Sequence, residues 1–208
     1  MQADLWSLVL AAGGSRRLGT PKQLLRIRGR TLLSRIINAA EAVTPGRVVV
    51  VLGADALRMR SLIRRHHPRA HSVDNSRWAQ GMAGSLQVGL AVLPTRATAA
   101  LLLLSDQPAV GEVSLHRLIR AWRRRPGRAA AAAYAGVVGV PAILPRTLWR
   151  DARRLSGDEG ARKLLRMEEM PATAAHMPEA AWDIDTPEDL QRLPDGVRFA
   201  RQGTVGRG

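Results

Sequence analysis

The chain has 208 residues, with 32 lysines and arginines against 17 acids, a formal charge of +15, 46% hydrophobic residues and no cysteine. A length near 200 suits one domain with its own core, and the missing thiols exclude a disulfide framework, an iron–sulfur cluster, a cysteine nucleophile and the common zinc sites. Any metal must then be held by oxygen or imidazole ligands. The basic excess points to phosphate-bearing partners, but 30 of the cations are arginine and aromatic residues make up only 3%. With so few stacking platforms, composition favours an enzyme of anionic small molecules over a nucleic-acid binder.

The opening Met1-Gln2-Ala3-Asp4-Leu5-Trp6 carries no basic residue, and the apolar run behind it stops at Gly13-Gly14. It reads as neither a leader nor a membrane span, and a cytoplasmic location with no membrane partner is expected. Short apolar runs at 5–10, 47–52 and 99–104 read as strands buried on both faces. Helices are predicted over 31–43, 54–66, 84–93 and 114–124, followed by a strand over 129–134 and an apolar run at 140–144. Further helices are predicted at 146–155 and 160–167, and a last one opens at Thr186-Pro187-Glu188-Asp189, where Thr, Pro and acids are helix-start residues. This alternation predicts an α/β fold with a mostly parallel sheet. The domain is expected to run over 1–195, with a flexible Gly- and Arg-rich tail over 196–208.

The first strand runs into Leu10-Ala11-Ala12-Gly13-Gly14-Ser15-Arg16-Arg17-Leu18-Gly19-Thr20-Pro21-Lys22-Gln23. A glycine-rich turn there lets backbone N–H groups approach a phosphate chain, with Arg17 and Lys22 as countercharge. The spacing fits neither the P-loop nor G-x-G-x-x-G. The third run ends in Ser105-Asp106-Gln107-Pro108, and a carboxylate at the end of a buried strand suits Mg²⁺ bound to phosphate. Late in the chain Asp183 and Asp185 flank Ile184. The two acids are expected on opposite faces of the segment, one turned to Asp106 and the other serving the helix that follows.

Together with Asn75-Ser76-Arg77-Trp78-Ala79-Gln80-Gly81-Met82-Ala83-Gly84-Ser85-Leu86 and Gly157-Asp158-Glu159-Gly160-Ala161-Arg162, these motifs resemble the nucleotidyltransferases of the molybdenum-cofactor type. The CTP:molybdopterin cytidylyltransferase branch is the most similar. The resemblance spans almost the whole chain to about Leu193. It implies a three-layer Rossmann-like (GT-A-like) fold that moves a nucleotidyl group from a nucleoside triphosphate to a phosphorylated acceptor, releasing pyrophosphate.

By the same resemblance Leu10, Ala11, Ala12, Gly13, Gly14, Ser15, Arg17, Gly19 and Lys22 are expected to hold the nucleotide, with Gly81 and Ser85 near the base. Asp106 is the expected Mg²⁺ ligand, joined by Asp183 or Asp185. Related sugar-nucleotide transferases place that second ligand on the first acid, which favours Asp183. Arg17, Lys22 and Asp106 are the implied catalytic set, with Arg16 and Arg162 as further phosphate cations. Ala12 follows the Leu-Ala-Ala-Gly reading of the CTP users rather than the Leu-Ala-Gly-Gly of the GTP users. Molybdopterin is the leading acceptor, although Gly136-Val137-Val138-Gly139-Val140-Pro141-Ala142 departs from the Gly-His-Pro pattern of the cytidylyltransferases. A cofactor-receiving enzyme is an implied partner.

An acceptor phosphate is already anionic near neutral pH, so attack on the α-phosphorus needs no general base. The five histidines are accordingly expected in solvated or capping roles. Arg58, Arg60, Arg64 and Arg65, and the cluster Arg123-Arg124-Arg125, are expected as solvated faces. Two readings from other classes stay open: a non-catalytic nucleotide-binding cofactor chaperone, and a nucleic-acid binder whose affinity falls steeply with salt.

Overall fold

A computed structural model describes residues 4–15, 17–166, 171–186 and 188–189. The expected tail, Arg16 and Pro187 lie outside the described residues. In chain order the elements are β1 (Leu5–Ala11), β2 (Arg26–Ile27), β3 (Arg30–Thr31), α1 (Leu32–Val43), β4 (Val48–Leu52), α2 (Ala56–His66), β5 (Ala70–Asp74) and α3 (Met82–Ala91). There follow β6 (Ala99–Leu104), α4 (Glu112–Arg123), β7 (Ala130–Tyr134), β8 (Val137–Pro145), α5 (Trp149–Ala152), α6 (Arg162–Leu165) and β9 (Thr173–His176).

Seven strands form one sheet in the order β5-β4-β1-β6-β8-β7-β9. Neighbours are parallel except where β8 meets β6 and β7, so β8 alone runs against the rest. Side chains alternate across each central strand with period two. Leu5 and Val9 of β1, Val48, Val50 and Leu52 of β4, and Leu101 and Leu103 of β6 pack against α1, α2 and α4. Trp6, Leu8 and Leu10, Val49 and Val51, and Leu102 pack on the other face against α3, α5 and α6. Both faces of the sheet are therefore covered by helices, which makes the three layers. Among the described residues no helix is long and apolar enough to cross a membrane.

The order places β1 between β4, reached through α1, and β6, reached later by crossing to the other side. Such a reversal of winding opens a crevice at the carboxyl ends of the two strands, the usual ligand position in open α/β sheets. The glycine loop leaves β1 there and Asp106 leaves β6 there.

The structure adds strands β5 and β9 and the β2–β3 hairpin, and it makes the apolar run at 140–144 part of the strand Val137–Pro145. Proline lacks the N–H that a strand interior donates, so Pro141 reads as a strand end. The sheet accommodates it with a register shift, pairing Ala131 with Ala142 but Ala132 with Gly139. The helix predicted over 146–155 is a 3₁₀ turn, Arg146–Leu148, followed by the short α5.

Candidate active site

The loop after β1 is shaped by Gln23, which is buried and donates from Nε2 to the carbonyls of Ala11 at 3.2 Å and Gly13 at 2.8 Å. Its neighbour Lys22 donates its backbone N–H to Ser15 Oγ at 2.9 Å. These bonds close the loop on itself and turn the Lys22 side chain across the crevice. There Lys22 Nζ lies 2.7 Å from Asp106 Oδ2 and 2.7 Å from Asp185 Oδ1. Burial opposes the charge on Lys22, but the two carboxylates outweigh it and raise the ammonium above the ordinary lysine value.

The aspartates reach this point by backbone and amide contacts. Ile184 donates its N–H to the main-chain carbonyl of Asp106, and its side chain is fully buried against Ile27 and Leu32. Gln107 donates to the carbonyls of Val140 at 2.9 Å and Ala180 at 2.8 Å, joining the β6 end to the irregular part of β8 and to the turn before Asp183.

The expectation that Asp183 and Asp185 face opposite ways is corrected. Residues two apart in an extended segment share a face, and it is Ile184 between them that points into the core. Both acids line the same cleft. The following turn is served instead by Asp189, whose Oδ2 accepts from the backbone N–H groups of Asp185 at 3.0 Å and Thr186 at 2.8 Å. This resembles half of a capping box, with Thr186 as the first residue and the acid three positions on.

Two adjoining clefts meet at this group. One, of about 370 Å³, is lined by Leu10, Ala12, Gly13, Gly14, Gln23, Trp78, Gly81 and Ser85. The other, of about 850 Å³, is lined by Tyr134, Val140, Arg162, Lys163, Arg166, Asp183 and Asp185. Lys22, Met82, Leu104, Asp106 and Asp158 belong to both. Ala11 is buried in the strand and Ser15 acts through its bond to Lys22, whereas Arg17 and Gly19 are exposed and line neither cleft.

The far wall of the smaller cleft depends on close backbone approach. Gly81 has φ +114°, and a Cβ there would stand 2.2 Å from the Gly157 carbonyl. The Trp78 side chain packs so closely on Gly53 and Gly14 that a Cβ on either would meet it at 2.5 and 2.9 Å. Ser85 is buried and accepts from Asn75 Nδ2 at 3.0 Å. Trp78, Gln23, Gln107 and Asn75 carried no assigned role in the sequence; Gln23 and Asn75 bond within their own motifs, whereas the partners of Trp78 and Gln107 are distant in the chain.

The donor set suits a hard divalent cation. Two carboxylates, Asp106 and Asp185, meet on the Lys22 ammonium, Asp183 lines the same cleft, and buried Asp106 Oδ1 has no hydrogen-bond partner. Partial burial, and then the Asp106 and Asp185 carboxylates, raise the Asp183 carboxyl above its ordinary value. Oxygen ligands of this kind are the preference of Mg²⁺.

A glycine loop and a strand-end carboxylate thus face a two-part cleft at the carboxyl ends of β1 and β6. Residues 7–176 match the MobA-like NTP transferase domain, and the chain belongs to that family. It is 34% identical over 200 residues to the nicotine blue oxidoreductase of Paenarthrobacter nicotinovorans, covering 89% of this chain and 94% of that one. The crystal structure of Rv0371c from Mycobacterium tuberculosis H37Rv superposes with a TM-score of 0.77 at 33% identity, covering 92% of this chain and 98% of that one. A manganese complex of Rv0371c gives a TM-score of 0.75 at 30% identity, covering 94% and 100%. The matched span ends before Asp183 and Asp185, so their place in the cleft rests on the Asp185 contact with Lys22 and on the bond from Ile184 to Asp106.

Proposed function

We propose that the protein transfers a nucleoside monophosphate, CMP from CTP in the first instance, to a phosphorylated acceptor of the molybdopterin type, with release of pyrophosphate. The observation that carries this reading is the meeting of Lys22, Asp106, Asp183 and Asp185 where the two clefts join. In it the triphosphate lies along Gly13 and Gly14 in the smaller cleft, and the acceptor takes the larger one, with its phosphate toward the Arg162, Lys163 and Arg166 side. The reading of CTP rests on Ala12, which lines the smaller cleft.

Asp106, Asp183 and Asp185 would hold Mg²⁺. Bound there, the ion would supply charge neutralisation of the phosphates and orientation of their oxygens. The protein's own part is to bring two anions together. Lys22 offers its ammonium to the triphosphate, Gln23 fixes the loop carbonyls so that backbone N–H groups face the phosphates, and Met82 and Leu104 restrict water at the junction. An acceptor oxygen attacks the α-phosphorus and the bond to pyrophosphate breaks. The acceptor phosphate is anionic near pH 7, so no side chain must remove a proton. The implied setting is cytoplasmic, with delivery of the product to a cofactor-receiving enzyme.

The test is Mg²⁺-dependent pyrophosphate release with CTP, GTP, UTP and ATP, each with and without molybdopterin. Release stimulated by molybdopterin with CTP supports the reading. Stimulation with GTP alone reassigns the base and keeps the reaction, and stimulation by another phosphorylated compound alone reassigns the acceptor. Tight nucleotide binding with no release under any condition selects the chaperone reading. The relative named as nicotine blue oxidoreductase favours a second reading, an oxidation–reduction activity. The loop lacks the G-x-G-x-x-G of dinucleotide sites, which argues against it, and substrate-dependent oxidation of NADH or NADPH would establish it.

A further inference from the structure

The place of Lys22 in the carboxylate group has a meaning beyond phosphate binding. Its side chain is 13% exposed and that of Asp106 18%, so this is a partly buried bridge rather than a surface pair. The backbone beneath it is fixed by Ser15 Oγ and by the two bonds of Gln23. Nζ is shared equally between Asp106 Oδ2 and Asp185 Oδ1, two of the oxygens that would bind a divalent cation. Two cations cannot take the same oxygens at hydrogen-bonding and coordination distance without repelling each other.

We infer that Lys22 is the resident counter-cation of the carboxylate site and competes with a divalent cation for Asp106 and Asp185. A triphosphate entering along Gly13 and Gly14 offers the ammonium another anionic partner and so frees those oxygens. Cation and nucleotide binding are then positively coupled, each strengthening the other by the same factor. Lys22 holds the charge balance of the empty cleft and makes cation uptake conditional on nucleotide. The inference rests on the reading of these aspartates as cation ligands, and it concerns binding, not turnover.

The test is Mn²⁺ binding to nucleotide-free protein, measured from the electron paramagnetic resonance signal of the free ion, for the wild type, Lys22→Met, Lys22→Arg, Asp106→Asn and the double variant Lys22→Met/Asp106→Asn. Lys22→Met is expected to bind Mn²⁺ at least tenfold more tightly than the wild type, and Lys22→Arg to stay weak. The double variant is expected to lose the gain. Should Lys22→Met fail to fold, Lys22→Gln gives the same readout with a polar side chain. Binding no tighter in the neutral variants than in the wild type, with Asp106→Asn still weakening it, overturns the competition and leaves the carboxylates as ligands. If Asp106→Asn alters Mn²⁺ binding in no background, the ligand assignment itself falls, and the inference with it.

Discussion

Ile184 donates its backbone N–H to the carbonyl of Asp106 at 3.0 Å, so the late acidic segment is registered on the end of β6 by main chain. The side chain between the two acids then acts as their anchor, fully buried with Ile27 and Leu32. Ile184→Ala is expected to cost about 2 to 5 kcal/mol of stability and Ile184→Val about 0.5 to 1.5. Urea unfolding measures both. If the anchor positions the acids, activity in the Ala variant falls under conditions where it is still folded, while the Val variant works normally.

Lys22→Ala and Asp106→Ala each remove a group expected to stabilise charge during transfer. A loss of one such group lowers kcat by about 10² to 10³. Pyrophosphate release should fall at least that far in both variants, with far-ultraviolet circular dichroism unchanged at assay temperature. Near-normal release from either would remove that residue from the machinery.

Gly81 and Gly13 both line the smaller cleft but tolerate a methyl group differently. At Gly81 the added carbon meets the Gly157 backbone on a positive φ, whereas at Gly13 it meets nothing within 4 Å. Gly81→Ala should lower the melting temperature and disturb the Gly157 loop. Gly13→Ala should change stability by less than about 0.5 kcal/mol, as for a free surface site, yet raise the KM for nucleotide. Paired melting curves and steady-state kinetics separate the two effects.

His67 gives a pH signature far from the site. It is buried, neither ring nitrogen has a hydrogen-bond partner, and burial lowers its pKa despite the nearby Glu41. Its place at the C-cap of α2 agrees with the expected capping role, while the burial of its ring departs from the solvated one. With the folded value below the unfolded value near 6.5, the unfolded chain binds more protons as pH falls through that region. This contribution to stability is complete above about pH 6.5 and is lost on acidification, by at most about 1.4 kcal/mol per pH unit. His67→Phe should flatten the dependence of melting temperature on pH between 7.5 and 5.5; an unchanged slope would show that other groups cause it.

The central layer was legible because β1, β4 and β6 are almost wholly apolar runs, broken only by Ser7 in β1, as suits strands buried on both faces. The sequences of β5, Ala-His-Ser-Val-Asp, and β9, Thr-Ala-Ala-His, are edge strands of mixed polarity and carry no such run. The motifs marked where the clefts would open, including Gly13, Lys22, Gly81 and Asp106. They did not reveal how the site is held, because Gln23 and Gln107 act on the carbonyls of Ala11, Gly13, Val140 and Ala180, partners that only the folded chain brings near. The facing of Asp183 and Asp185 was readable from the two-residue period of extended chain, with Ile184 as the inward residue.

The packing of Trp78 against Gly14 and Gly53 gives the molecule an optical property. Trp6, Trp122 and Trp149 are buried, and Trp182 stands beside the acidic pair, so Trp78 is the indole that lines the smaller cleft. A ligand that settles along Gly13 and Gly14 changes the surroundings of that ring. Its fluorescence therefore reports occupancy of the cleft without a label, and Trp78→Phe supplies the background from the other four indoles.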